Sequence, residues 1–458
     1  MEGDIIVAIA TPPGEGALAI VRLSGPGSVE LAASCCSGER RIREAGGMSV
    51  LVTSVRGDME TGESSPVIDQ VVVAVYRAPK SFTGEDMVEV ICHGGHTVPR
   101  EVLGRFLDAG ARPAQPGEFT RRAFCNGKMD LTQAEAVAEL IRAGTERAGR
   151  AAARRLEGGL KKSVEEIRGQ IIELLADIEA RLDFADEEIA PLEPGDVSRR
   201  LEQVRGEIAR YMDTYEQGKL LQHGAMVVLA GAPNAGKSTL FNTLVQRDRV
   251  MVSSIPGTTR DAVVEWVNLE GVPVKLVDTA GIRSSGDEIE QESIRRTVDW
   301  IKDADLVVVL FDGSGPRNPH DAVVEALDGV AVLPVWSKGD LGLQEQAYAE
   351  IAMKPELRIS GVTGEGLGKL KALIIKELCG GQSREGADVL ISEERQYRAL
   401  CEAHEALNRV VEADRGGAGF EIIAMELREG TSALGQITGE GIDEAVLDRI
   451  FSKFCIGK

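Results

Sequence analysis

The sequence predicts an α/β and α architecture: an N-terminal α/β domain and a helical domain, with a phosphate-loop (P-loop), Ras-like α/β domain of mostly parallel sheet inserted into the helical one. Three observations predict it. Apolar, strand-like runs alternate with turn-rich loops over residues 4–92. Amphipathic helical stretches lie on both sides of residues 223–381. Between them an apolar run ends in a glycine-rich loop that opens a helix.

Residues 4–10 and 17–23 read as strands, joined by the loop Thr11-Pro12-Pro13-Gly14-Glu15-Gly16. Residues 67–76 and 87–92 read as further strands. Residues 98–109 read as a helix with Pro99 in its first turn, where a missing N–H costs nothing. Together these make a domain over 1–119. The character changes near Thr120. Residues 131–143 form a helix opened by Asp130 or Thr132. Ile167, Ile171, Leu174, Leu175, Ile178 and Leu182 then draw one apolar stripe along a long helix. Glu193-Pro194-Gly195 breaks it. Val197, Leu201, Val204, Ile208, Tyr211 and Tyr215 step by fours and threes along the next helix, completing a first helical part over 120–222. Residues 392–411, 421–429 and 442–454 are helical again, within a second part over 382–458. Neither part can bury its stripe alone, so the economical reading is one helical domain interrupted by 223–381.

The interruption starts with residues 226–230, MVVLA, a buried parallel strand. Gly231-x-x-x-x-Gly236-Lys237-Ser238 follows. Its glycines let backbone N–H groups face phosphate oxygens. Lys237 brings a point charge, and the Ser238 hydroxyl can ligate magnesium. Residues 239–245 continue as a helix whose N-terminus adds positive potential. Residues 274–277 form a strand ending in Asp278-Thr279-Ala280-Gly281. Asp278 can hold magnesium through water and Gly281 can offer its N–H to a γ-phosphate; alone, the four residues read equally as a strand-end turn. Residues 306–311 form a buried strand. Residues 330–335 end in Trp336-Ser337-Lys338-Gly339-Asp340, similar to the guanine-reading NKxD element with Ser in place of Asn. Asp340 can accept from two guanine N–H donors that adenine lacks. These elements, in this order and spacing, predict a domain that binds and hydrolyses GTP.

The chain has 458 residues and a net charge of −21 at pH 7, which argues against gripping nucleic acid by bulk charge. Seven scattered cysteines with no CxxC pair suit a reducing cytoplasm. Residues 1–9 carry acids and no basic n-region, so no signal peptide is expected. No apolar run approaches the ~20 residues of a membrane helix, so no membrane role is expected.

Across nearly its whole length the chain resembles the MnmE (TrmE) family of tRNA-modification GTPases. The resemblance rests on TPPGEGALAIVRLSG, SFTGEDMVEVICHGG, PGEFTRRAFCNGKMDLTQAEAVAELI, GAPNAGKST, IPGTTRD, DTAGIRSSGDEIE and the tail Cys455-Ile456-Gly457-Lys458. It implies a folate-binding N-terminal domain that makes a homodimer, and a heterotetramer with a flavoprotein partner, MnmG. It implies modification of carbon 5 of the wobble uridine (position 34) of certain tRNAs with a one-carbon unit from a tetrahydrofolate derivative (5-formyl- or methylene-tetrahydrofolate). It implies a carboxymethylaminomethyl- or aminomethyl-type uridine as the product.

Residue by residue, the resemblance implies GTP contacts at Asn234, Ala235, Gly236, Lys237, Ser238, Thr239, Ser253, Ser254, Ile255, Pro256, Gly257, Thr258, Thr259, Asp278, Thr279, Ala280, Gly281, Ser337, Lys338, Gly339, Asp340, Ser360, Gly361 and Val362. Ser238 and Thr259 match magnesium ligands. Asn234, Ser253, Ile255 and Thr258 match a potassium site that supplies the charge of an arginine finger, and hard oxygen ligands suit such a cation. Ile282 stands where many GTPases carry a catalytic glutamine, and Glu290 matches the family's catalytic glutamate; from the residues alone it reads as a solvated acidic helix start. Arg22, Glu89, Lys128 and Lys458 match folate-binding positions, although Arg22 and Glu89 alone read as ordinary charges on strands. Cys455 matches a residue needed for modification and equally suits a buried structural thiol. Two departures stand out. Glu15 replaces a basic residue common in the Pro-Pro-Gly loop, and Ser337 replaces Asn, which is expected to loosen guanine binding.

Cys92-His93-Gly94-Gly95-His96 offers too few ligands for a metal site. Arg147, Arg150, Arg154, Arg155, Lys161 and Lys162 read as a tRNA patch or as a solvated helix face. A GTP-dependent switch in ribosome assembly is the rival function, and a lone folate-dependent transferase leaves the G domain unexplained.

Overall fold

The computed structural model describes residues 3–58, 65–183, 195–249, 264–279, 287–315, 320–342, 353–379 and 390–458. Its contacts divide the chain into two compact units, Met1–Ala138 with Thr438–Lys458, and Glu139–Ile437.

The first unit is built on six strands: β1 (Ile6–Ile9), β2 (Leu18–Ser24), β3 (Ser49–Arg56), β4 (Val67–Tyr76), β5 (Met87–His93) and β6 (Arg112–Pro113). They lie in the order β3-β4-β5-β2-β1-β6. All neighbours are antiparallel except β1 and β6. Because side chains alternate across a strand, register decides which face each residue joins. Val7, Val21, Leu23, Val73, Val88 and Val90 share one face, which packs against Val29 and Ala32 of helix Ser28–Ser34 and Val102 and Phe106 of helix Val98–Asp108. The other face carries a row in register: Ala8, Arg22, Glu89, Ala74 and Val50. On that face Leu18, Val50 and Val52 are 62%, 68% and 60% exposed.

Helices Glu118–Cys125 and Glu444–Phe451, and helix Leu131–Arg142 as far as Ala138, complete this unit. Leu131, Ala134, Phe451 and Phe454 bury one another. Arg121 pairs with Glu444 at 3.1 Å and with Asp448 at 2.9 Å. These contacts place residues 120–138 and 438–458 with the N-terminal sheet, whereas the sequence groups both with the helical domain. The aromatic residues explain the difference, since their partners lie more than 300 residues apart in the chain.

In the second unit the stripe Leu160, Val164, Ile167, Ile171, Leu174 and Ile178 of helix Gly159–Asp183 shares a core with Val197, Leu201, Val204 and Ile208 of helix Asp196–Met212. Leu400, Ala403, Leu407 and Val410 of helix Glu394–Arg415, and Leu427 and Leu434 of helix Phe420–Thr438, belong to the same core. Residues from both sides of the inserted domain thus bury one stripe, each fully buried Leu or Ile contributing about 1.5–3 kcal/mol. Tyr215, opening helix Tyr215–His223, stacks on Tyr397 at 4.5 Å between ring centroids.

The inserted domain holds β7 (Ala225–Gly231), β8 (Val264–Leu269), β9 (Val272–Asp278), β10 (Leu306–Asp312), β11 (Val332–Ser337) and β12 (Leu357–Arg358). Their order is β12-β11-β10-β7-β9-β8, parallel except for β8. β10 is buried at every residue, as expected of a central parallel strand covered on both faces.

Candidate functional site

In this doubly covered sheet the strand ends carry the chemistry. β7 ends at Gly231 with φ 147°, and a Cβ there would stand 2.5 Å from the Leu310 carbonyl oxygen of β10. Only glycine fits that crossing. Asn234 and Gly236 also have positive φ, 63° and 94°, so the intervening backbone curls its N–H groups inward. Helix Lys237–Asp248 starts immediately afterwards, with no side-chain cap on its first N–H groups. An anion can satisfy them.

Lys237 is buried, and its ammonium donates to the carbonyls of Gly231 and Ala232 at 2.9 Å each. Burial pulls its pKa below the ordinary lysine value, and the Asp278 carboxylate partly opposes that. Asp278 ends β9 and is itself buried. The next residue, Thr279, donates its hydroxyl proton to the Leu229 carbonyl at 2.9 Å, fastening this strand end to β7. The Ser238 hydroxyl and Asp278 carboxylate are hard oxygen donors of the kind magnesium takes.

Beside the loop, the Ser337 hydroxyl lies 2.6 Å from the Ala235 carbonyl and 3.0 Å from that of Phe311. Its single proton therefore ties the end of β11 to the phosphate loop. Lys338, at φ 54°, pairs with Asp312 at 2.7 Å. Gly339 donates to the Ile359 carbonyl at 2.9 Å, and the Arg358 guanidinium donates to the Gly339 carbonyl. These bonds hold the backbone while the Asp340 side chain stays exposed. Ser360 accepts from the N–H groups of Val362 and Thr363, and Thr243 donates to the Gly361 carbonyl at 2.8 Å. The loop at 360–362 is thereby fixed to the helix that leaves the phosphate loop.

The structure thus gathers Asn234, Ala235, Gly236, Lys237, Ser238, Thr239, Asp278, Thr279, Ser337, Lys338, Gly339, Asp340, Ser360, Gly361 and Val362 around the ends of β7, β9 and β11. Ser253, Ser254, Ile255, Pro256, Gly257, Thr258, Thr259, Ala280 and Gly281 lie outside the described residues. Glu290 belongs to helix Asp287–Lys302, with its side chain outside them.

A second constellation lies on the first unit's sheet. Arg22 donates through Nε and a terminal nitrogen to one Glu89 oxygen, at 2.9 and 2.7 Å. Its other terminal nitrogen reaches the Gly457 carbonyl at 3.3 Å. The Phe82 and Phe119 rings each centre 5.6 Å from the guanidinium, and Tyr76 donates to Glu89 at 3.3 Å. Gly457 has φ 92°, and a Cβ there would stand 2.6 Å from the Ile9 carbonyl oxygen, so the tail lies against the end of β1. Burial, then the nearby Arg22 charge, lowers the Lys458 ammonium's pKa, with Glu89 opposing. Cys455 is exposed. Arg22, Glu89 and Lys458 therefore share one place, whereas Lys128 donates to the Pro79 carbonyl at 2.9 Å. Tyr76, Phe82 and Phe119 escaped the sequence reading, although Phe82 and Phe119 sit inside two of the blocks that carried the resemblance.

The basic run is largely self-paired. Arg150 bonds Glu146, and Lys161 and Lys162 approach Glu165 and Glu166 at 3.7 and 3.9 Å. Arg155 is a buried cation paired with Glu139. Among the described residues no helix is long and apolar enough to cross a membrane.

The family description "MnmE helical domain" matches residues 131–455, and "GTP-binding protein TrmE N-terminus" matches residues 5–128. The chain is 39% identical over 457 residues to the tRNA modification GTPase MnmE of Geobacter metallireducens, covering 99% of each chain. It is 41% identical over 463 residues to that of Thermotoga petrophila, covering 99% of this chain and 100% of the relative. It is 36% identical over 463 residues to that of Natranaerobius thermophilus, covering 100% of both.

Proposed function

The chain belongs to the MnmE family of tRNA modification GTPases, and from that premise we propose a potassium-stimulated GTPase that works with a flavoprotein partner and a tetrahydrofolate derivative on carbon 5 of the wobble uridine. One observation carries the nucleotide half: Lys237, Asp278 and the Ser337–Asp340 segment converge on the phosphate loop. Lys237 would bring its charge to the β and γ phosphates, and Ser238, with Asp278 through water, would hold magnesium. Asp340, left exposed on a pinned backbone, accepts the guanine donors. Ser337 supplies the tie to the phosphate loop rather than a contact to the base edge.

Asn234 is proposed as a potassium ligand with Ser253, Ile255 and Thr258; Thr259 is the second magnesium hydroxyl and Glu290 the residue acting on water. Hydrolysis should therefore be faster in potassium than in sodium at matched ionic strength. Equal rates would remove the potassium assignment.

For the folate half, the supporting observation is the junction of Arg22, Glu89 and Lys458 beside Tyr76, Phe82 and Phe119. A carboxylate and cations next to aromatic rings suit a flat heterocycle that carries N–H donors and an acidic tail. Lys128 is proposed to turn from Pro79 to the ligand. Exposed Cys455, on the same tail, is proposed to take part in the modification. Removing residues 455–458 should abolish tRNA modification and leave GTP hydrolysis within about twofold, since the nucleotide site is built from residues 231–362. Full modification by the shortened protein would reduce the tail to packing.

Leu18, Val50 and Val52, exposed on the sheet face opposite the helices, support pairing of the N-terminal unit with a second copy. The decisive experiment is the nucleoside content of tRNA from cells lacking this protein. Loss of the carbon-5-modified wobble uridine is expected; an unchanged profile would favour the ribosome-assembly switch.

A further inference from the structure

Helix Glu146–Leu156 touches the nucleotide-binding domain at its start and the chain returning from that domain near its end. Its N-cap is Thr145. The Thr145 hydroxyl accepts from Ala148 N–H at 3.2 Å and gives its own proton to the Gly271 carbonyl at 2.7 Å. Gly271, at φ 90°, forms the turn between β8 and β9, and a Cβ there would stand 3.1 Å from the Arg147 side chain. From this turn β9 runs to Asp278 and Thr279 at the phosphate loop, hydrogen-bonded to β7 on one side and β8 on the other. Seven residues at about 3.3 Å each make a stiff link of roughly 20 Å. One end of β9 lies beside the phosphate loop and the other rests on the helix cap.

Near the helix's other end Arg155 pairs with Glu139 and donates to the Ser392 hydroxyl. Ser392 donates to Glu139 at 3.1 Å. Its neighbour Ile391 donates from its N–H to the Thr214 hydroxyl at 3.1 Å. A Cβ on Gly218 would stand 1.9 Å from the Ile391 carbonyl oxygen, so the returning chain lies directly against the incoming helix Tyr215–His223. A cavity of about 10 Å³ beside the pair, lined by Glu139, Arg155, Gly218, Gln222 and Leu390, has room for about one water.

We propose that helix Glu146–Leu156 is a positioning element that carries the nucleotide state from the Asp278 end of β9 to the helical domain, with Thr145 as its input contact and the Arg155–Glu139–Ser392 cluster as its output. This rests on the reading above, in which one chain both hydrolyses GTP and serves tRNA modification. The test varies the contact and the nucleotide separately.

Thr145→Asp keeps the capping acceptor but has no proton for Gly271, whereas Thr145→Ser keeps both bonds. Ser392→Ala removes the output tie without touching the cap. In the full-length protein, Thr145→Asp and Ser392→Ala should each hydrolyse GTP within about twofold of wild type and lose about tenfold in tRNA modification, while Thr145→Ser behaves as wild type. Independently, amide hydrogen exchange across residues 146–156 should differ between a non-hydrolysable GTP analogue and GDP in the wild type, and not in Thr145→Asp. Full modification by either folded variant overturns the proposal. So does a parallel loss of hydrolysis and modification, because the contacts then serve only the fold. Identical exchange in the two nucleotide states of the wild type overturns it whether or not the protein modifies tRNA, which separates this failure from failure of the functional reading.

Discussion

Replacing Lys237 by Met should abolish nearly all GTP hydrolysis while leaving the protein folded. The ammonium is buried and held by the Gly231 and Ala232 carbonyls. Its value in catalysis lies in charge delivered to phosphates inside a site with little water, worth about 100- to 1000-fold in rate for one such donor. In the fold without nucleotide the same burial is a cost, since it favours the neutral amine. Methionine fills similar volume and removes that cost, but it also takes the cation away from buried Asp278 and the donor from two carbonyls, so the two effects oppose each other. The pH dependence gives a second handle. A lysine with a lowered folded pKa binds fewer protons folded than unfolded, on the alkaline side up to its ordinary value of 10.5. Stability from this group therefore rises with pH across that window, and the rise should vanish in Lys237→Met. Thermal unfolding across alkaline pH, beside steady-state hydrolysis, measures both. A variant that hydrolyses GTP at more than a tenth of the wild-type rate would sink the assignment of Lys237.

Arg155→Met should be the most destabilising single change in the helical domain. The Arg155 and Glu139 side chains are 5% and 4% exposed. Removing the guanidinium strands a carboxylate in that interior, a cost of about 3–5 kcal/mol. Adding Glu139→Leu should recover most of the loss, because the second change removes the stranded charge. Denaturant unfolding of the four proteins forms a double-mutant cycle. A single-mutant loss below about 1 kcal/mol would mean that water reaches the pair and that the site behaves like a surface ion pair.

Period and punctuation made much of this chain legible. β7 and β10 are apolar runs too short for helices, and the stripe from Ile167 to Ile178 repeats at helical spacing; both follow from burial that the local pattern records. β3 was missed because Val50 and Val52 are apolar on the face that stays exposed, which blurs the alternation a half-buried strand displays. The sequence carries the stripe of the helix from Val197 on to Tyr215, which in the structure opens the next helix. Tyr215 keeps the stripe because it stacks on Tyr397, although Met212 ends the first helix. Long-range partners left the least trace. Nothing near Arg155 announces Glu139 or Ser392, so it read as one more surface cation. Only the family resemblance brought Lys458 to Arg22, and only the resemblance singled out Glu290. Ser337 was visible as a departure, but its bond to the Ala235 carbonyl needed the fold.

The packing of Thr438–Lys458 with Met1–Ala138 has a consequence for how the protein is made. Residues 139–437 leave the ribosome between the two halves of this unit. At about 5–20 residues per second, that separates them by roughly 15–60 s. During that interval Phe124 and Leu131 lack Phe451 and Phe454, and Arg22 lacks the Gly457 carbonyl. The nucleotide domain has no such wait, because its strands are contiguous in synthesis. A message cut short, or a nascent chain clipped before residue 438, would therefore release a folded nucleotide domain beside an N-terminal unit that still exposes its apolar seam. Translation as far as Gly457 is what completes the Arg22 site, so that site reports that both halves of its unit have been made.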